Sequence, residues 1–324
     1  MQLADFITDL PLAGGGILKD ATCRYAVWGQ LNAARDNLVL FPTRFGGTHE
    51  QNAFLIGSGK ALDPAKYCIV VPNMLGNGES SSPSNTSGFP SVDHRDNIEL
   101  QRRLLRLNFR DAPIQLAVGW SMGAQQSYRW AVEEPDRVSN LVTICGTART
   151  TPHNRVFLEA LLAALEADPK YGTDAPPKAG LRAVGRIYAG WAYSQPWLKR
   201  EAFREAACGG FASVDDWLEN YWDALFMARD AGNIVTCAQT WIANDVADGG
   251  SLSEALGRIR ARTLVMTAST DLYFTPADCV SEAAMIPHAE YRTIETDWGH
   301  MAGSGQSPRD TETINAAITE ILNA

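Results

Sequence analysis

Gly119-Trp120-Ser121-Met122-Gly123 joins the apolar run IQLAVG (114–119) to the helix-like stretch AQQSYRWAVEE (124–134). A Gly-x-Ser-x-Gly turn between a strand and a helix lifts a serine hydroxyl above a sheet as a nucleophile. The flanking positions must be small, because side chains there would collide with the adjoining strand and helix. A helix starting just past the serine also aims its positive dipole end at a developing oxyanion. A hydroxyl is a poor nucleophile without a base, so a histidine is required. Of His49, His94, His153, His288 and His300, only His300 follows a late strand-like run, in DWGHMAG (297–303). His288, in a Pro-His-Ala turn, reads as solvated surface, and His153 as a capping or loop residue. The third member should be an acid between serine and histidine in chain order. Asp271 fits, directly after TLVMTAS and 29 residues before His300. It would fix the imidazole tautomer and stabilise the imidazolium, a role whose loss costs ~10⁴ in rate. Asp245, Asp248 and Asp278 are weaker alternatives, and Asp297 reads as a brace for the His300 loop.

Acyl transfer also needs donors for the oxyanion. One is expected to be the backbone N–H of Met122. The other should come from the loop PTRFGGTH (42–49), where two adjacent glycines permit close approach to the serine. Physics alone leaves open which N–H of that loop contributes. The histidines show no HExxH-type spacing, so no metal is called for. A serine at the turn argues against dehalogenase chemistry, which needs a carboxylate there. Serine, acid and histidine in this order also argue against a non-catalytic binding protein on the same scaffold.

Short apolar runs position these residues. RYAVW (24–28), NLVLF (37–41), YCIVV (67–71), IQLAVG and LVTIC (141–145) alternate with helix-like stretches such as DNIELQRRLLRL (96–107). Runs without period-2 alternation suit strands covered on both faces, so an α/β fold with a mostly parallel, doubly wound sheet is expected. Between about 150 and 250 the pattern turns wholly helical, and five of the nine tryptophans (Trp191, Trp197, Trp217, Trp222, Trp241) fall there. Strand signals resume with RTLVMTA (262–268) and EYRTIET (290–296). The expected organisation is one hydrolase core built from 1–149 and 251–324, with a helical cap over 150–250 that lines a pocket.

The chain has 324 residues, 45% of them hydrophobic, with 28 Lys+Arg against 37 Asp+Glu and a net charge of −9. It is too apolar for a disordered chain, and its mean field repels nucleic acid and anionic membrane. The six cysteines are spread without a CxxC pair and suggest buried thiols. The start lacks a basic n-region, and no apolar run nears the ~20 residues of a spanning helix. A cytoplasmic protein is expected.

Four blocks resemble the homoserine O-acetyltransferase-like branch of the α/β hydrolases: YAVWGQLNAARDN (25–37), NMLGNGES (73–80), FPSVDHRDNIELQRRLL (89–105) and GWSMGAQQSYRWAVEEPDRV (119–138). The resemblance covers about 24–145 and 262–303. It implies a Ser121–Asp271–His300 triad, an acyl-serine formed by ping-pong chemistry, and a homodimer through the cap. Its His-Ala-Leu-Thr-Gly oxyanion loop, set on Pro42 through Gly46, places the second oxyanion N–H on Arg44.

Two positions depart from the pattern. Homoserine-specific members carry an aspartate after the catalytic histidine, where it can pair with the substrate's ammonium. This chain has Met301 there, and losing such a charge-assisted bond costs ~1.5–3 kcal/mol. Pro42 also replaces the loop's histidine. If the cap admits water the acyl-enzyme is hydrolysed; if it excludes water and orients an alcohol, the protein is an acyltransferase. An acyl-CoA co-substrate would ask for basic residues near the pocket mouth. Arg44 and the Arg102, Arg106, Arg110 row are the candidates, although the row reads more simply as a solvated face. The acidic chain and aromatic cap favour a small, uncharged ester, so hydrolysis is expected, with O-acyl transfer as the alternative. Neither route needs a bound cofactor.

Overall fold

A computed structural model describes residues 1–323. Eight strands form one sheet in the order β1-β2-β4-β3-β5-β6-β7-β8. They are β1 (Gln2–Pro11), β2 (Ile17–Trp28), β3 (Leu38–Leu40), β4 (Cys68–Pro72), β5 (Ile114–Trp120), β6 (Asn140–Ile144), β7 (Arg262–Ala268) and β8 (Glu290–Ile294). From β4 to β8 every pairing is parallel, whereas β1–β2 and β2–β4 are antiparallel. The parallel strands β3 to β6 are buried almost throughout, which explains their uninterrupted apolar runs. The sheet is therefore mostly parallel, as expected, with an antiparallel edge that the sequence reading shortened. That reading found only the end of β2 and missed β1, whose residues are mainly exposed or half-exposed.

Helix α1 (His94–Asn108) and helix α2 (Met122–Glu133) belong to the sheet's crossovers. Asp93 starts α1 as a capping box, accepting from the Arg95 N–H, while Asp96 reaches back to the Asp93 N–H at 2.8 Å. The row expected on one face of α1 is interrupted: Arg102 is held by Glu99, Glu133 and Glu134, Arg106 is exposed, and Arg110 lies past the end of the helix.

No strand lies between Ile144 and Arg262 among the described residues. The helices there are α3 (Pro152–Glu166), α4 (Lys178–Ala192), α5 (Gln195–Lys199), α6 (Val214–Trp217), α7 (Ala224–Met227), α8 (Ala231–Ile242) and α9 (Leu252–Leu256). Within the run expected to be wholly helical, the chain is helical without interruption from Val214 to Met227, with π-type bonding over Leu218–Asp223 between α6 and α7. The insertion closes at its base, where Arg149 pairs antiparallel with Asp245 and their side chains meet at 2.8 Å. Buried Glu282 on α10 (Pro276–Ala283) accepts the Ala148 and Arg149 N–H groups at 2.7 and 3.1 Å, tying this base to the core. α11 (Pro308–Asn323) follows β8. All six cysteines are free; five are buried and Cys208 is half-buried.

Candidate active site

Ser121, Asp271 and His300 all stand past the C-terminal ends of parallel strands, where ligands bind in sheets of this kind. Ser121, between β5 and α2, has φ 59° and ψ −127°. A non-glycine residue with positive φ is strained, and the surrounding packing must hold it there. The turn is tied down by the Ser121 N–H donating to Ile144 O at 3.0 Å and by Ser121 O accepting from the Ala124 N–H at 2.9 Å. A Cβ at Gly119 would overlap the Gly123 backbone, and one at Gly123 would press on the Pro42 carbonyl. Both glycines are thus required by contact.

His300 lies on a 3₁₀ turn (Gly299–Ser304) after β8 and is buried. Its Nδ1 is 2.9 Å from Asp271 Oδ2. The other Asp271 oxygen accepts the Tyr273 and Phe274 N–H groups at 2.8 and 3.1 Å. That bonding fixes the carboxylate and leaves one oxygen for the imidazole. The His300 ring stacks on Trp120 at 5.1 Å and meets the edge of Tyr273 at 4.8 Å. Buried Cys145, just past β6, brings its sulfur within 4.8 Å of the Asp271 and His300 ligand atoms. Burial, with the Asp271 charge next, pushes its thiol well above the usual range, so it is held as a neutral thiol. No hydrogen bond joins Ser121 Oγ to His300, a contact that commonly tightens only when substrate binds.

Ser121 and His300 open into one cavity of ≈ 110 Å³. Its walls include Arg44 and Trp120 from the core and Tyr188, Trp222, Phe226 and Arg229 from the helical insertion. Met301 lines it beside His300, in the position noted as a departure from the homoserine-specific pattern. Two guanidinium groups reach this space. Arg44 bonds Phe45 O at 3.0 Å and Gln51 Oε1 at 2.9 Å, with its head 4.8 Å from the centre of the Trp120 ring. Arg229 lies 5.2 Å from the Phe226 ring. Neither has a carboxylate partner among the described residues. Burial, with the neighbouring Arg229 charge second, brings Arg44 down to about 10; burial also lowers Arg229. Both stay cationic at neutral pH and make the cavity electropositive. The N–H groups of Met122 and Arg44 donate to no other described group.

The other acids have separate duties. Asp245 pairs with Arg149, Asp248 with Arg129, Asp297 with Arg200, and Asp278 bonds Thr275 at the start of α10. His288 is exposed. Arg229 had not been singled out in the sequence; only the aromatic richness of its surroundings signalled a pocket wall there.

The model of the alpha/beta hydrolase fold matches residues 36–304. This chain belongs to the α/β-hydrolase family. It is 38% identical to the ethyl acetate hydrolase of Pseudomonas veronii, over 98% of this chain and 94% of that one. An acetylester hydrolase from Corynebacterium glutamicum has a solved structure that superposes with a TM-score of 0.95 at 36% identity, covering 100% and 96% of the two chains. The homoserine O-acetyltransferase of Trichormus variabilis is 29% identical over 93% of this chain and 92% of its own. The hydrolase therefore has both ester hydrolases and homoserine acetyltransferases among its relatives, in keeping with the resemblance read from the four blocks. No helix among its described residues is long and apolar enough to cross a membrane.

Proposed function

We propose that this hydrolase cleaves small, uncharged carboxylic esters, acetyl esters foremost, through an acyl-Ser121 intermediate. What carries the reading is His300, paired with buried Asp271, sharing a small cavity with a serine on a strained turn. His300 Nε2 takes the Ser121 proton as Oγ attacks the ester carbonyl. The oxyanion is held by the Met122 and Arg44 N–H groups. Collapse breaks the bond to the alcohol, which leaves with the proton from His300. Water then attacks the acyl-serine, His300 again taking a proton and returning it to Ser121 Oγ, and the carboxylic acid departs, ionising to the carboxylate by losing its proton to solvent. The electropositive walls favour both the oxyanion and that product.

The cavity is small beside the ~300–1,000 Å³ of pockets for drug-sized ligands, which favours short acyl and alkyl groups. Met301 offers a thioether where an ammonium-bearing acceptor would need a carboxylate, so water is the assigned acceptor and acyl-CoA is not a co-substrate. The same reading has no bound cofactor or metal, a cytoplasmic location suited to six unpaired thiols, and a homodimer through the helical cap. Exposed Val156, Val214 and Met227 on the cap are the apolar positions such a dimer would cover.

A fluorophosphonate probe should label Ser121, and Ser121→Ala should lose hydrolysis of ethyl acetate and p-nitrophenyl acetate; unchanged turnover in that variant sinks the proposal. Acetyl-CoA with homoserine is the contrasting assay. CoA release that depends on the alcohol would favour acyl transfer instead.

A further inference from the structure

The loop carrying Asp271 is held from two sides. On its inner side the Tyr273 and Phe274 N–H groups converge on Asp271 Oδ1. On its outer side three successive carbonyls accept side chains from elsewhere. Phe274 O takes the Thr267 hydroxyl at 3.1 Å, within the core. Leu272 O takes His153 Nε2 at 2.8 Å, and Tyr273 O takes Asn154 Nδ2. Both latter donors are adjacent residues in the first turn of α3, the first helix of the cap. Asn154 is wholly buried, its own N–H capped by the Thr151 hydroxyl at 3.3 Å, and its Oδ1 has no hydrogen-bond partner. A third tie runs the other way: the Tyr273 hydroxyl donates to Tyr188 O on α4 at 2.9 Å, while its ring edges onto His300.

We propose that Asn154, assisted by His153, is a positioning residue for the triad acid, so that the cap is part of the device that aims Asp271 at His300. The proposal rests on the triad reading above. Its physical basis is that a buried carbonyl left without a donor must move toward one. Tyr273 O lies two residues from Asp271 and shares its peptide with the Phe274 N–H, one of the two that hold the carboxylate. A shift there reorients the carboxylate, and sub-ångström misplacement in such a constellation is expensive in rate. Leu272 O shares its peptide with the Tyr273 N–H, but its donor His153 is exposed and water can replace it, so the share of His153 is smaller.

The test compares wild type, Asn154→Ala, Asn154→Asp, His153→Ala and His153→Gln, all normalised to the fraction of Ser121 labelled by the fluorophosphonate. Both Asn154 variants should lower kcat ~10- to 100-fold per labelled site, with KM changed less than about twofold. In Asn154→Ala the acid limb of the kcat/KM profile should move to lower pH. An imidazolium that has lost its carboxylate gives up its proton more readily; Asp271 is its direct charged partner, and cationic Arg44 lies across Trp120 from it. His153→Ala should lose activity several-fold and His153→Gln, which keeps a donor, should recover most of it. Lower thermal stability with kcat per labelled site and acid limb both unmoved would overturn the proposal while leaving the triad intact. If the Asn154 variants do not fold, unaltered kcat in His153→Ala overturns it. Absence of Ser121 labelling in wild type would defeat the triad reading itself.

Discussion

The sheet's catalytic end and the helical cap bury side chains by different rules. At the sheet end directed bonds hold the acid: Asp271 has three donors, and in the core below, Trp130 on α2 gives its indole N–H to Gln101 Oε1 at 2.8 Å, although the Trp120 indole N–H stays unpaired. In the cap, Trp197, Trp222 and Trp241 bury their indole N–H groups without any acceptor. They are held instead by ring against ring, Tyr193 on Trp197 at 3.9 Å and Trp241 on Phe274 at 5.0 Å. Proton transfer demands angles, which only directed bonds enforce. Enclosing a small apolar ester demands shape, which aromatic area supplies without direction.

The contrast can be broken most sharply at Asp271. Asp271→Asn should lower kcat by ~10⁴ in steady-state ester hydrolysis while circular dichroism stays native; a loss under tenfold would remove the angular argument. Next come the glycines of the turn. Gly123→Ala sets a Cβ against the Pro42 carbonyl and should cost about 2–4 kcal/mol in denaturant unfolding as well as activity.

Glu282 tests the seam between the regions through pH. Burial, partly offset by its two backbone donors, pushes its carboxyl up to about 8. The folded protein therefore holds a proton that the unfolded chain releases near pH 4.5. Stability should fall as pH rises from about 5 to 8, by a few kcal/mol in this group's share. Glu282→Gln should flatten that slope in urea titrations across the range, and an unchanged slope would mean the carboxyl ionises normally. The smallest expected effect is the most direct comparison of the two regions. Trp130→Phe should cost about 1–3 kcal/mol beyond lost area because Gln101 loses its partner, whereas Trp197→Phe loses area alone. Equal penalties in thermal unfolding would erase the distinction.

Sequence legibility followed the same divide. The candidates Ser121, Asp271 and His300 could be singled out because each follows a short apolar run, and the fold brings Asp271 and His300 to 2.9 Å. Local pattern also found seven of the strands at least in part. Strand β1 escaped because an exposed edge shows no buried run. The π-type bonding over Leu218–Asp223 escaped because DDWLENYWDALFMARD keeps a helical composition through a change in helix type. Asn154 and His153 were illegible as partners of the Asp271 loop, since their bonds span 119 residues of sequence. Arg229 has no local pattern at all; only packing sends its head into the cavity.

The pairing of Arg149 with Asp245 puts the departure and return of the excursion through α3 to α8 within one antiparallel bridge, where Cα atoms stand roughly 5 Å apart. A chain that leaves and re-enters through so narrow a gate can exchange what lies beyond it without stretching the sheet. The cap is thus portable. Different excursions grafted at the same two residues would meet the same sheet end, provided each returned donors for the carbonyls of Leu272 and Tyr273.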